Sequence, residues 1–259
     1  MLGVSLSASA DAIDCAQLRA GGVGFSVVRA SIGASSCPDF ADKWNALREA
    51  GLRRCAAHVF RSDQDAIAQA VRFLKVELQR GDLPPALEID EVDSKPTPLV
   101  VDALHEWLAV VQGELEARHG TLLHPMIRTS ERVWRLLGQP AVFEPYPLWI
   151  VDRSRFHDPR CPAPWGGKQW TFHQYTLQTA GVPGVRYADL DRFNVLGVGD
   201  RGIRVVTLKH SLAACGYDSS STDEFDERTR RLVLHFQAAR GLVQDGLVDV
   251  HTFAELQWP

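Results

Sequence analysis

The chain has 259 residues, of which 45% are hydrophobic and 23% charged, with 20 Gly and 14 Pro. This composition describes one large globular domain, or a large domain with a small companion, and excludes a disordered or collagen-like polymer. The 28 Lys and Arg against 32 Asp and Glu leave a formal net charge of -4, so the basic surface that a phosphate backbone demands is not expected and nucleic acid is excluded as a partner.

The first segment, MLGVSLSASADAID, has no Lys or Arg before Arg19 and no continuous apolar stretch. No standard secretory signal is therefore expected, and the chain is expected to be made in the cytoplasm. No apolar run approaches the roughly 18 residues of a membrane span, so no membrane partner is expected. Short β-branched runs predict strands at Leu2–Leu6, Phe25–Ala30, Arg54–Phe60, Pro85–Asp90, Leu122–Arg128, Pro147–Val151, Trp170–Tyr175 and Tyr187–Leu190. Between them, Phe40–Ala50, Gln64–Arg80, Pro98–Arg118 and Thr129–Leu137 carry apolar residues at helical spacing. The alternation predicts an α/β, TIM-like (β/α) barrel over residues 1–197. At under about 200 residues it is shorter than the typical barrel of roughly 250, so some helices must be abbreviated or missing.

The GVGDRG segment at Gly197–Gly202 reads as a linker. Beyond it, helices are predicted at Val205–Ala214, Glu227–Arg240 and Val250–Leu256, giving a small all-α three-helix bundle over 203–259. The bundle is slightly acidic, so a groove rather than bulk charge must hold any partner. The five cysteines, Cys15, Cys37, Cys55, Cys161 and Cys215, are odd in number and include no CxxC pair. They read as buried small hydrophobes rather than disulfides or metal ligands; neither a metal nor a cofactor is expected.

Side chains two apart on a strand share a face, so Glu88 and Asp90 project together from one strand end. Two carboxylates aimed at one spot can separate into an acid and a base. From spacing alone, a solvated or salt-bridged pair is the simpler account. The other predicted strand ends carry Ser5 and Ser7, Ile32, His58, Arg128, Trp149, Gln174 and Asp189, at the rim where barrel enzymes build their sites. Trp149, Trp165, Trp170, Phe172, Tyr175 and Tyr187 crowd the last third of this domain. Such rings suit sugar faces, although about half are expected to be core.

The blocks GVSLS, FSVVRASIG at 25–33, NALREAGLRRCAAHVF at 45–60, LPPALEID at 83–90, PLWI at 147–150 and QWTFHQYT with GVPGVRYADLDRF across 169–193 resemble, in order, those of glycoside hydrolase family 25, the lysozymes or N-acetylmuramidases. The resemblance implies a (β/α) barrel whose acidic groove cleaves the β-1,4 bond between N-acetylmuramic acid and N-acetylglucosamine in peptidoglycan glycan strands, without a metal. By matched position it implies that Asp90 is the general acid/base, that Glu88 supports the substrate acetamido group or the oxocarbenium-like centre, and that Asp189 completes the acidic cluster. Trp149, Gln174, Tyr175, His58, Arg128 and Trp170 are the implied substrate-binding residues, with hydrogen-bonded packing an equal account of His58.

The sequence departs from the family pattern in three places. Ser5 stands where Asp is usual, Ile32 where Glu is frequent, and the D-x-E pair appears as Glu88-Ile89-Asp90. The alternatives to a muramidase are thus a weakened or inactive protein that binds wall glycan, and a glycosidase of different bond preference. The segments VVTLKHSLAACGY at 205–217 and DEFDERTRRLVLHFQAARGLVQDGLVDVHTFAEL at 223–256 resemble the three-helix peptidoglycan-binding domain, with Lys209 where Gln is usual. That implies the wall stem peptide as a second partner and action at the bacterial wall, after release as a phage endolysin or delivery as a toxin. A toxin would carry an immunity protein as a further partner.

Overall fold

The computed structural model describes residues 1–6, 13–92, 97–120, 123–154 and 157–258. Ser7 and Leu122 lie outside them. Among the described residues, eight strands close into a barrel. They are β1 (Leu2–Leu6), β2 (Val23–Ile32), β3 (Arg53–Val59), β4 (Ala86–Ile89), β5 (Met126–Thr129), β6 (Leu148–Val151), β7 (Trp170–Gln174) and β8 (Tyr187–Phe193). From β1 to β7 each strand pairs in parallel with the next. Strand β8 runs antiparallel to both β7 and β1 and closes the ring.

The sequences of β4 and β6, ALEI and LWIV, are buried almost throughout. Near-continuous apolar strands are what a parallel sheet covered by helices requires. Helices α1 (Cys15–Ala20), α2 (Phe40–Glu49), α3 (Ala66–Phe73), α4 (Thr97–His119) and α5 (Glu131–Leu136) lie between successive strands. Asp14, Asp65 and Ser130 begin α1, α3 and α5 by accepting a hydrogen bond from the backbone N–H three residues on. No α-helix stands between β6 and β7 or between β7 and β8 among the described residues, so the barrel is abbreviated as its length requires. The helix expected to run to Arg80 ends at Phe73. Val76 and Leu78 continue its apolar spacing but are buried from a chain of turns, so burial there imitates helical period.

Phe25, Cys55, Ala57, Met126, Trp149 and Phe172 pack inside the barrel. Phe73, Leu104, Trp107 and Trp134 fill the space between strands and helices. Gly3 is required by this packing, because a Cβ there would lie 2.1 Å from the Phe25 ring. All five cysteines are free, and Cys15, Cys37 and Cys55 are buried.

Helices α6 (Ile203–Ala214), α7 (Glu227–Ala239) and α8 (Val250–Leu256) form the C-terminal unit around Val205, Leu208, Leu212, Val233 and Phe236. Lys209 is 1% exposed. Its ammonium donates to Ser220 Oγ, Thr222 Oγ1 and the Glu224 carbonyl at 3.2, 2.7 and 2.7 Å, which satisfies all three of its donors. The segment expected to be a linker joins the two units. The 197–202 segment is pinned by bridges pairing Leu196 with Val248 and Arg201 with Glu224. Helix α8 then docks under the barrel, where Val250 and Ala254 join Phe25, Leu83 and Phe172 in one core. Trp258 Nε1 donates to the Asp82 carbonyl at 3.0 Å, and Arg53 pairs with Glu255 at 2.9 Å. These contacts lie where the strands begin, opposite the mouth.

Candidate active site

At the mouth, Glu88 on β4 and Asp90 just past its end point to the same place, as strand alternation predicts. Arg128 on β5 is the cross-strand partner of Glu88. Its Nη1 donates to Asp90 Oδ1 at 2.5 Å and to Glu88 Oε2 at 3.3 Å. Its Nη2 donates to Gln174 Oε1 at 2.7 Å, and Gln174 Nε2 donates in turn to Asp189 Oδ2 at 3.1 Å. Arg29 on β2 donates to Glu88 Oε2 from Nε and Nη2 at 3.0 and 2.8 Å, and its Nη2 lies 3.7 Å from Asp90 Oδ2. One polar network therefore crosses the mouth from β2 to β8. The expected acidic groove is corrected: two guanidinium groups stand against its two central carboxylates. Burial opposes the charge on Arg128, but Glu88 and Asp90 more than reverse this and raise its pKa.

The two acids differ in access. The Glu88 side chain is 3% exposed and that of Asp90 40%. Glu88 and Asp189 line a cavity of about 30 Å³ with Ser5, Arg29, Arg128 and Gln174, room for ordered water but not for a sugar. Asp90 opens instead on a depression of about 500 Å³ that also reaches Arg29 and Arg128. Asp189 enters the mouth from the first half of β8, since that strand runs antiparallel, rather than from a strand end as expected. The Asp189 Oδ1 also accepts from the Gln178 backbone N–H at 2.8 Å. Tyr175 is half-buried just beyond β7, with burial raising its pKa.

Three expected substrate-binding residues do not reach the mouth. Trp149 is 1% exposed inside the barrel. Trp170 begins β7, at the end away from the mouth, and packs among core residues with the Arg192 guanidinium 4.8 Å from its ring centre. His58 is fully buried, stacked on Trp107 at 5.1 Å and hydrogen-bonded to Ser31 Oγ and Gln69 Oε1. Burial pushes its pKa down to about 4, so it is a neutral packing residue at physiological pH.

The sequence reading missed Asp191, although strand alternation from Asp189 puts it on the same face. Asp191 is fully buried. Ser5 Oγ donates to its Oδ2 at 2.7 Å and Trp149 Nε1 to its Oδ1 at 2.9 Å. Thus, although position 5 is Ser, a carboxyl stands beside it, supplied by β8. Burial pushes the Asp191 pKa up to about 7 against the hydrogen bond from Ser5, the charge of Arg128 and the hydrogen bond from Trp149. Its folded value therefore exceeds the unfolded value of about 3.9. The stability this provides is fully present below about pH 4 and is lost as pH rises through about 7. Asp191→Asn should therefore change the melting temperature least near pH 4 and raise it most above about pH 7. Parallel melting curves from about pH 4 to 8 would refute the shift.

Among the described residues, no group of three or more His, Cys, Asp or Glu is arranged to hold a metal ion, and no helix is long and apolar enough to cross a membrane.

Comparison with known proteins fits this architecture. A search of curated proteins finds no match. The putative peptidoglycan binding domain matches residues 201–256. Among solved structures, the fold is similar to the bacterial lysozyme from Streptomyces coelicolor, at TM-score 0.65 and 23% identity over 75% of this chain and 92% of that one. A family 25 glycosyl hydrolase from Bacillus anthracis matches at TM-score 0.63 and 21% identity, over 74% of this chain and 88% of that one. A muramidase from Acremonium alcalophilum matches at TM-score 0.64 and 21% identity, over 75% of this chain and 93% of that one. The glycosyl hydrolases family 25 pattern itself spans residues 4–185, more than half the chain, from within β1 through the end of β7. The chain therefore belongs to glycosyl hydrolases family 25.

Proposed function

We propose that the protein is a muramidase acting at the bacterial cell wall, cleaving the β-1,4 bond between N-acetylmuramic acid and N-acetylglucosamine, with working units at 1–197 and 203–259. Asp90 carries this reading, as the exposed carboxylate of the pair on the edge of a sugar-sized depression. Protonated from solvent, its carboxyl delivers that proton to the glycosidic oxygen as the bond breaks. Glu88, held by two arginines, is poorly placed to attack the anomeric carbon, so the acetamido oxygen of the substrate forms that bond. Asp90 then takes the proton of the water that opens the intermediate.

Spacing supports retention. Asp90 and Glu88 bond the same Arg128 nitrogen at 2.5 and 3.3 Å, so their oxygens can be no farther apart than those two bonds laid end to end. That is short of the roughly 6.5–9.5 Å an inverting pair needs to admit a water between its acids, which favours retention through the acetamido oxygen. Digestion of purified peptidoglycan should release reducing ends on muramic acid, first seen as the β-anomer by proton NMR. Ends on glucosamine, or the α-anomer first, would refute this assignment.

The arginines favour a second reading, in which the chain binds glycan with little or no turnover because Arg128 occupies the space between the acids. Retention on peptidoglycan without new reducing ends would select it.

A further inference from the structure

The depression beside Asp90 has a charge pattern that a neutral sugar does not use. Its walls carry five arginines, Arg29, Arg128, Arg132, Arg153 and Arg160, against three carboxylates, Asp90, Glu131 and Asp152. All three acids are already engaged. Asp90 pairs with Arg128, Glu131 with Arg135 at 2.7 Å, and Asp152 accepts from the backbone N–H groups of Ser154 and Arg160 at 3.0 Å each. Arg29 and Arg128 are spent on Glu88 and Asp90. Arg132, Arg153 and Arg160 are exposed, and among the described residues no carboxylate lies within ion-pairing distance of them. Three guanidinium groups line one depression without a carboxylate partner among the described residues, and an anion bound there would gain charge-assisted hydrogen bonds from them.

We propose that Arg132, Arg153 and Arg160 form a carboxylate subsite that receives the lactyl carboxyl of muramic acid. The proposal rests on the glycan reading above and adds to it the group that sets register. N-acetylglucosamine is neutral, whereas muramic acid carries a 3-O-lactyl arm ending in a carboxyl or extended by an acidic peptide. A strand of alternating sugars can slide by one residue in a groove that reads only rings and acetamido groups. An arginine wall beside Asp90 favours the register that places muramic acid, not glucosamine, at the depression. Arg132 comes from α5, and Arg153 and Arg160 flank the Asp152 carboxylate, which is hydrogen-bonded to both neighbouring segments. Partial burial raises the Asp152 pKa, but the hydrogen bonds from Ser154 and Arg160 outweigh it and lower the pKa overall, so Asp152 stays charged and keeps those segments in place.

Calorimetric titration of the full chain tests this with three ligands of equal length. These are a peptide-free tetrasaccharide of alternating N-acetylglucosamine and N-acetylmuramic acid, its carboxyl methyl ester, and chitotetraose. The free acid should bind at least about tenfold more tightly than the other two at about 50 mM salt, with the preference shrinking toward parity near 500 mM. Arg132→Gln, Arg153→Gln and Arg160→Gln together should abolish the preference, leaving chitotetraose affinity and the melting temperature unchanged. Equal affinity for all three ligands in the wild-type protein, or a preference that survives in the triple variant, would overturn the subsite while leaving the glycan reading intact. Failure of the wild-type protein to bind any of the three would overturn both.

Discussion

Asp90→Asn should lower the release of reducing ends from peptidoglycan by about two to four orders of magnitude, the usual contribution of a positioned acid, while shifting the melting temperature little. The asymmetry follows from exposure. Asp90 is 40% exposed, and the buried Arg128 keeps Glu88 as counter-charge when Asp90 is neutralised, so losing this half-exposed pair costs about 1 kcal/mol. Glu88→Gln should behave differently. Its carboxylate is 3% exposed and shared by Arg29 and Arg128, so the amide leaves two guanidinium groups short of a counter-charge. Activity and stability should then fall together, the latter by about 3–5 kcal/mol. A matched pair of assays, reducing-sugar release and thermal melting, separates the variants. Undiminished turnover in Asp90→Asn would remove it from the chemistry, and an unchanged melting temperature in Glu88→Gln would show that the arginines need no partner there.

A comparable loss of stability is expected away from the mouth, in Arg54→Ala. The Arg54 side chain is 3% exposed, donates to the Asp82 carboxylate at 2.6 and 3.0 Å and to the Trp44 carbonyl at 2.7 Å, and lies 3.9 Å over the Trp44 ring. Burial raises the Asp82 pKa even with Arg54 in place, and once the guanidinium is gone its carboxyl keeps the hydrogen bond from the Gln79 backbone N–H at 2.8 Å and the more distant charge of Arg48, which do not offset that burial. Breaking such a pair costs about 3–5 kcal/mol, equivalent to a fall of roughly 6–20 °C in melting temperature for a chain of this size. Arg54→Leu combined with Asp82→Asn should recover much of that loss, because removing both charges avoids a lone buried ion. A single Arg54→Ala variant that melts within about 2 °C of the wild-type protein would sink this account.

The barrel and the acid pair were legible in the sequence because each rests on local spacing. Glu88 and Asp90 are two apart at the end of an apolar run, and the strands β1, β6 and β7 fall within one or two residues of their expected ends. The arginine clamp was not legible. Arg29 and Glu88 are 59 residues apart and Arg128 and Glu88 are 40 apart, and only strand order brings them together. Aromatic residues misled for a different reason. In a parallel barrel both faces of a strand are apolar, one inside and one under the helices, so Trp149 and Trp170 carry no sign of which side they face. The direction of β8 was concealed by its connection, 175–186, which contains no helix and returns antiparallel as hairpins do.

The docking of α8 changes what the second unit can do for the first. A wall-binding module on a leash sweeps its partner through a volume and raises encounter by local concentration. Here Val250, Ala254 and Trp258 key that module into the barrel floor, with the mouth at the far end. If the proposed function holds, the docked α8 would present the acids to the wall at one stand-off and one bearing, as a caliper does. Lengthening the 197–202 segment would not widen that reach until α8 itself let go.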